Sequence, residues 1–296
     1  MSDQTLTGLS FKDQSLEGSD FTGMNIADCD FTGANLTDAI FDEATITDTR
    51  FVGATLTQAS FVRTQLVRCD LSQSHCERIR VQEAHLEEVR WHEACLAQAT
   101  CLGLRTIPPC VGCDCTQMHL FACDVTNLVL YRSSAPMLVL QECAGEAMNW
   151  TESDCTQIIA MEGDFPDATF TRCQLNRAAF IGSRLVRARF LACTLDEAQC
   201  AHSDFTMASL AGASMHKANM AYATLSHADC TKCDATMADF SHAKLERTDF
   251  SGAILTLANV HAADITRAET AHATLTGLRT TDQALLRAET FVPRAE

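Results

Sequence analysis

Cys110, Cys113, Cys115, His119 and Cys123 fall within one short stretch. Cys-x2-Cys with a further Cys and a His nearby has zinc-ligand character, because thiolate and imidazole donors complete tetrahedral sites at such spacings. Cys230-Thr231-Lys232-Cys233 has the spacing of a redox pair. Arg172, Arg177, Arg184, Arg187 and Arg189 gather in another stretch and could grip an acidic partner. Ten histidines are scattered, His202, His242 and His261 among them. A Walker A loop, a GxGxxG turn after a strand, a GxSxG elbow and an HExxH pair are all missing from the chain.

What these residues can do depends on the elements that carry them, and the stretch from Asn25 to Gln65 shows what those are. A large apolar residue occupies every fifth position: Ile26, Phe31, Leu36, Phe41, Ile46, Phe51, Leu56 and Phe61. Two residues before most of them sits a small one: Ala34, Ala39, Ala44, Thr49, Ala54 and Ala59. A period of five is neither helical nor that of a simple strand, and it marks a repeat. Large and small residues two apart point to one side of an extended backbone. The other three must turn the chain, and Thr, Gly, Asp and Asn are residues that turns favour. Four such units close a square coil of about twenty residues, and coils stack at about 4.8 Å.

Residues twenty apart must then lie above one another. Phe11, Phe31 and Phe51 form one column, Phe21, Phe41 and Phe61 a second, and Leu16, Leu36 and Leu56 a third. Outward positions alternate in sign: Asp30, Arg50, Asp70 and Arg90 on one face, Glu43, Arg63 and Glu83 elsewhere, and Arg177, Glu197 and Lys217 further on. The motif is similar to the A(D/N)LXX repeat of the pentapeptide repeat family, written here as Ala34-Asn35-Leu36, Ala218-Asn219-Met220 and Ala238-Asp239-Phe240. The resemblance implies an all-β fold, a right-handed quadrilateral β-helix.

This frame reorders the chemical candidates. Cys29, Cys69, Cys123, Cys143, Cys173, Cys193 and Cys233 occupy the small inward slot, and Cys76, Cys101, Cys155, Cys200 and Cys230 the large one. Cys in these slots acts as a compact apolar residue. Cys115 and Cys123 are inward too, so the reading is no metal, with Cys110, Cys113, Cys115, His119 and Cys123 a weak candidate. Cys230 and Cys233 become neighbouring core positions. A narrow filled interior leaves no pocket of the kind enzymes use, so the chain reads as non-catalytic and without a cofactor. Of the arginines, Arg172, Arg177 and Arg187 are candidate partner contacts on solvated corners.

The net charge of −16 is uneven. The first 49 residues hold ten acids, among them Asp13, Glu17, Asp20, Asp28, Asp30, Asp38, Asp42, Glu43 and Asp48, against Lys12 alone. The half beyond Asp164 is nearly neutral. Direct nucleic-acid binding is disfavoured by this charge. With no long apolar run and no basic, apolar leader, membrane insertion and export are not expected, and the cytoplasm is the default location.

The phase holds from Leu6 to Cys101 and resumes one residue out of step at Leu120, after Pro108-Pro109 and Gly112. Proline removes a ladder donor, so a loop or an elbow is expected here. The predicted organisation is 1–101 for N-terminal coils, 102–164 for a degenerate segment with an inserted loop, 165–280 for C-terminal coils, and 281–296 for a short helix. The coils make a rod of roughly thirteen turns, about 60 Å long at strand spacing. The helix carries Leu285, Leu286 and Phe291 as its apolar side and either caps the rod or, as the resemblance implies for some members, pairs two copies. Functionally, the reading is a protein-binding scaffold or adaptor, and the resemblance raises an accessory role in a bacterial assembly such as a type VI secretion system. The competing reading is a DNA mimic that binds a type II topoisomerase such as gyrase, as in the quinolone-protective members.

Overall fold

The computed structural model describes residues 4–290. Phe291 lies outside the described residues. The chain is a parallel β-solenoid built from the five-residue unit. In the unit that begins at Ala34, both Ala34 and Leu36 point inward and are fully buried, while Asn35 between them faces out. The Ala39 N–H donates to the Leu36 carbonyl at 3.1 Å, closing a turn whose third residue, Asp38, has φ 58°. That left-handed residue recurs at successive corners: Gly23, Asp28, Gly33, Asp38, Glu43 and Asp48. A non-glycine residue there costs roughly 1–2 kcal/mol. The stack holds it in place, since the Asp38 N–H donates to Thr57 on the next coil at 3.0 Å. At Gly33 a Cβ would lie 2.3 Å from Asp13 Oδ1, the mobile end of an exposed side chain that can turn aside, so glycine serves there chiefly for its φ of 67°.

Short strands line three sides. The first sheet pairs β1 (Thr5–Thr7), β2 (Asn25–Ala27), β3 (Thr45–Thr47), β5 (Gln65–Val67) and β7 (His85–Glu87). The second pairs β4 (Ser60–Val62), β6 (Arg80–Gln82), β8 (Thr100–Leu102), β10 (His119–Phe121) and β12 (Val139–Gln141). The third pairs β9 (Cys110–Val111), β11 (Val129–Tyr131), β13 (Asn149–Thr151), β14 (Thr169–Thr171) and β15 (Arg189–Leu191). Single bridges at the same spacing continue the stack as far as Asn259 and Arg279.

Like stacks on like in the core. Phe11 lies over Phe31 with ring centroids 4.8 Å apart, and Phe31 over Phe51 at 5.1 Å. Phe21, Phe41 and Phe61 repeat this on the opposite side at 4.8 Å per step. Leu36 and Leu56 are fully buried; Leu16 and Phe11, in the first coil, are partly so.

The inserted loop does not exist. Cys95 pairs with Asp114, and Thr100 with His119, nineteen residues apart, whereas Asp114 then pairs with Ser134 at twenty. One coil is a residue short, and the stack passes through it unbroken. The shortfall falls beside Pro108-Pro109, where no backbone donors are needed. The Trp91 indole N–H donates to the Pro108 carbonyl at 3.0 Å and closes the corner from inside. The segment 102–164 is irregular in its fillers and regular in its backbone: the column Asp114, Ser134, Asp154, Gln174 keeps its register.

The cysteines do more than fill volume. At several corners lacking the turn hydrogen bond, the small inward residue donates to the carbonyl of the coil before. Cys69 Sγ reaches Ile46 O at 3.4 Å, Cys143 reaches Leu120 O at 3.4 Å, and Ser133 Oγ reaches Cys110 O at 3.0 Å. Cys, Ser and Thr suit these slots because a small body with a donor satisfies that carbonyl, whereas Ala84, Val89 and Leu104 fill equivalent slots without one. All sixteen cysteines are free thiols, and all but Cys95 are buried. Burial pushes Cys69 up to about 11 and Cys76 and Cys200 up to about 12. We expect a thiol reagent at pH 8 to leave the buried cysteines unmodified in the folded chain, with Cys95 reacting first and all sixteen reacting in denaturant. Rapid labelling of Cys76 or Cys200 in the native state, read by peptide mass mapping, would contradict this core.

Candidate functional site

With the inward positions filled, chemistry is confined to the outward faces and the end of the chain. Each coil presents one outward residue per side and two at each corner. An Asp or Asn at the side position has a structural task first. Asp30 Oδ1 accepts the Thr32 N–H at 2.9 Å, Asp70 accepts that of Ser72 at 3.0 Å, and Asp204 and Asp234 do the same for Thr206 and Thr236. The carboxylate thus caps a donor that the turn leaves open. This is the physical content of the D/N in the repeat, and it accounts for much of the acidic charge. The spacing Asp-x-Thr/Ser was visible in the sequence.

Most carboxylates of the predicted acidic end are therefore engaged. Asp20 accepts the Thr22 N–H at 2.9 Å. Asp42 accepts Ser60 Oγ–H and the Val62 N–H, Asp38 the Gln58 amide, and Glu17 that of Asn35. Asp48 binds Arg68 through two hydrogen bonds of 2.6 Å, and Glu43 pairs with Arg63. Asp13 and Asp28 occupy left-handed corners at φ 57° and 53°. Asp30 and Asp70 serve their turns, although Arg50 lies close enough to add attraction to Asp30.

Four arginines of the band, Arg172, Arg177, Arg184 and Arg187, are likewise paired along the rod. Glu152 lies between Arg132 at 2.8 Å and Arg172 at 2.7 Å. Arg177 meets Glu197 at 2.9 Å, Arg184 meets Asp164, and Arg187 grips Asp167. Every partner is twenty residues away, so these pairs hold coils in register at exposed sites.

Hydrogen bonds from Thr22 and Thr32 hold Asp20 and Asp30 below the usual carboxylate range, and Arg68 and Arg187 do so for Asp48 and Asp167. A depressed folded value means the unfolded chain binds protons more readily as pH falls. Their contribution is complete above the ordinary Asp value, about 4, and is lost as pH drops through the lowered ones. The melting temperature is expected to hold between pH 7 and 5 and to fall below about pH 4. A fall that begins near pH 6 would mean that other groups govern acid stability.

The Cys/His candidate does not converge. Cys110, Cys113, Cys115 and Cys123 are buried inside the coils, and His119 stands outside them in β10. Cys113 and Cys123 give their S–H to the Trp91 and Cys101 carbonyls at 3.1 and 3.5 Å.

Sequence reasoning missed one cluster, at the end of the rod. The helix α1 (Gln283–Glu289) starts at Asp282, whose carboxylate accepts the Ala284 and Leu285 N–H groups at 2.8 and 3.1 Å. It buries none of its residues. It does not close the rod: the inward residue Ile265 of the final coils is 57% exposed, and Leu285 on the helix is 48% exposed. The helix is instead held at the side, where Glu289 Oε2 meets His261 Nε2 at 3.2 Å and His242 Nε2 at 3.3 Å. His242 continues an outward ladder with Tyr222 and His202, at ring spacings of 4.6 and 4.8 Å. Among the described residues this is the group whose donor atoms, all within 4.8 Å of one another, approach a metal-ligand arrangement. The histidines, one coil apart, carried a faint signal; the path of the tail that adds Glu289 carried none.

The pentapeptide repeat profile matches residues 5–42, 41–73, 173–210, 193–229 and 236–269, in eight copies, over half of the chain. The chain belongs to the pentapeptide repeat family. The profile lapses between 73 and 173, where the fillers degenerate while the coils of this pentapeptide repeat protein continue. Among solved structures it is similar to HetL, a pentapeptide repeat protein involved in heterocyst differentiation regulation in the cyanobacterium Nostoc, at 19% identity over 93% of this chain and 89% of that one, TM-score 0.18. It is also similar to QnrB1, a plasmid-mediated fluoroquinolone resistance protein, at 15% identity over 96% and 98%, TM-score 0.23. A pentapeptide repeat protein of the Arabidopsis thaliana thylakoid lumen matches at 24% identity over 40% of this chain and 70% of that one, TM-score 0.15. No curated protein matches the sequence.

Proposed function

We infer that this pentapeptide repeat protein is a non-catalytic scaffold that binds other proteins through its outward faces. The observation that carries this reading is the division of labour along the coil. Inward positions are filled, with a gap beside Phe61, Trp91 and Cys101 of only about 20 Å³. Outward side chains stand in columns twenty residues apart, as Arg132, Glu152 and Arg172 do. The interior of such a rod has little room for a small substrate, and its outside is a long, ordered surface for a macromolecule. Sixteen free thiols fit a reducing compartment, and the cytoplasm is the location we propose. Among the described residues, Ile265 and Leu275 in the last coils are exposed and fit contact with a second copy, so the scaffold is proposed to act as a homodimer.

A DNA mimic directed at a topoisomerase is the second reading, favoured by the acids of the first 49 residues. Weighing against it, Arg63 and Arg68 neutralise Glu43 and Asp48 in those coils. Affinity purification from the native host under reducing conditions, with mass spectrometry of co-eluting proteins, separates the two. Assembly or secretion proteins in the eluate support the scaffold and name its setting. Gyrase or topoisomerase IV subunits that dissociate at high salt establish the mimic.

A further inference from the structure

Between the side of the rod and α1 lies a cleft of about 600 Å³, lined by Tyr222, His242, Asn259, His261 and Arg279 on the rod and by Asp282, Leu285 and Glu289 of the tail. Two imidazole Nε2 atoms converge there on one carboxylate oxygen, that of Glu289. A third contact fixes the polarity of the arrangement. The Asp282 N–H donates to His261 Nδ1 at 3.1 Å. Nδ1 therefore presents a lone pair, and the neutral ring carries its proton on Nε2, which donates to Glu289. A metal ion would need the Nε2 lone pair as well, leaving the ring with no proton at all. The cluster is thus shaped for a carboxylate rather than for a cation.

The occupant is not there for the sake of its own helix. Glu289 is the final residue of α1, where its charge meets the negative end of the helix dipole. No residue of the seven-residue helix is fully buried and Leu286 is only half-buried, so its attachment relies on polar contacts: Glu289 to the two histidines, the Asp282 N–H to His261, and Thr281 Oγ accepting the Ala262 N–H at 3.2 Å. The surroundings suit a peptide. Asn259 and Arg279 stand one above the other in the bridge column that ends the stack. Tyr222 lines the cleft and is exposed, and the exposed Met237 and Leu257 stand at the left-handed corner that precedes the Asn259 column.

We propose that this cleft is a carboxylate-recognition site for an acidic peptide segment of a partner protein, occupied in cis by Glu289 until the partner displaces it. The proposal rests on the protein-binding reading above and specifies the chemistry of one contact. His242 and His261 supply two donors to the incoming carboxylate, Arg279 supplies charge, and the exposed apolar side chains hold the neighbouring residues. The tethered Glu289 competes as an intramolecular ligand, at an effective concentration of about millimolar order.

The probe is a fluorescein-labelled peptide of residues 281–290 of this chain, with a second peptide carrying Gln in place of Glu289, titrated by fluorescence anisotropy against the full chain. The Glu289→Ala chain is expected to bind the acidic peptide at least about ten-fold more tightly than the wild-type chain, because the tethered competitor is gone. The Gln peptide, or a chain combining Glu289→Ala with His242→Ala, is expected to lose that gain. His242 is partly exposed, so its removal leaves the coils intact, which unchanged melting verifies. Equal binding by wild-type and Glu289→Ala chains, or equal binding of the Gln peptide, overturns the proposal. A zinc-dependent rise in melting temperature that disappears in His242→Ala overturns it in favour of a metal site. Because the assay needs no native partner, its failure is distinct from an empty pull-down, which would strike the scaffold reading alone.

Discussion

Phe41→Ala is expected to destabilise the protein by about 3–5 kcal/mol, the range for emptying a buried aromatic site. Phe41 is fully buried and touches rings on every side. It stacks on Phe21 and Phe61 at 4.8 Å, and presents an edge to Phe31 at 6.4 Å and to Phe51 at 5.8 Å. Its neighbours cannot collapse into the space, because each coil is fixed to the next by hydrogen bonds such as Phe41 N–H to Ser60 O at 2.8 Å. In a stack of nearest-neighbour interfaces, damage to one coil also disconnects the coils beyond it. The loss is therefore expected to be local first. Hydrogen exchange in residues 5–60 is expected to accelerate well before that in residues 200–260, and the melting curve to broaden or split. Phe41→Leu retains most of the volume and is expected to cost less than half as much. Uniform acceleration along the chain with a single sharp melt would show that the rod unfolds as one unit.

That expectation comes from a feature the sequence displayed openly. Phe31, Phe51 and their counterparts at Phe21, Phe41 and Phe61 follow from the period and from the rule that residues twenty apart lie above one another. The shift of phase after Cys101 was equally visible, but a shift of one is compatible with an added loop or a missing residue. Pro108-Pro109 suggested the loop; the Trp91 indole bonded to the Pro108 carbonyl makes the short coil workable. Charge was legible in amount and hidden in purpose. Asp20 and Asp30 count as acids in any tally, yet each is tied to a backbone N–H two residues on. Thiols looked apolar because their slots are inward, whereas Cys69 and Cys143 are also donors to carbonyls that open corners leave exposed. The Glu289 contact with His242 and His261 lay beyond reach, since a tail outside the period has no register from which its neighbours can be read.

Gly145→Ala tests the degenerate middle from the opposite direction, by adding one carbon. In the regular coils the position of Gly145 holds a large apolar residue, as Val125 and Phe165 do one coil away on either side. A weak filler here would look free to grow. The backbone has instead used the space. A Cβ on Gly145 would lie 2.3 Å from the Thr126 nitrogen and 2.4 Å from the Val125 carbonyl carbon, and both are main-chain atoms that cannot rotate away. Those atoms are held in turn, because the Val125 N–H donates to Ala144 O at 3.0 Å and the Asn127 N–H to Glu146 O at 2.9 Å. The expected cost is therefore at the upper end of the range for overpacking, about 3 kcal/mol, comparable with emptying Phe41 and far above the usual price of replacing glycine. Thr126→Ala removes no main-chain atom and is not expected to rescue it. Denaturant unfolding of the two single variants and the double variant measures this directly. If Gly145→Ala is neutral or stabilising, the coil at this level has a larger side-chain space than the close approach of Thr126 permits, and the middle of the rod is a repeat awaiting a better filler. If it is destabilising and Thr126→Ala leaves the loss intact, the glycine is a required part of the coil, and the degeneration of the repeat there marks a different packing solution rather than a decayed one.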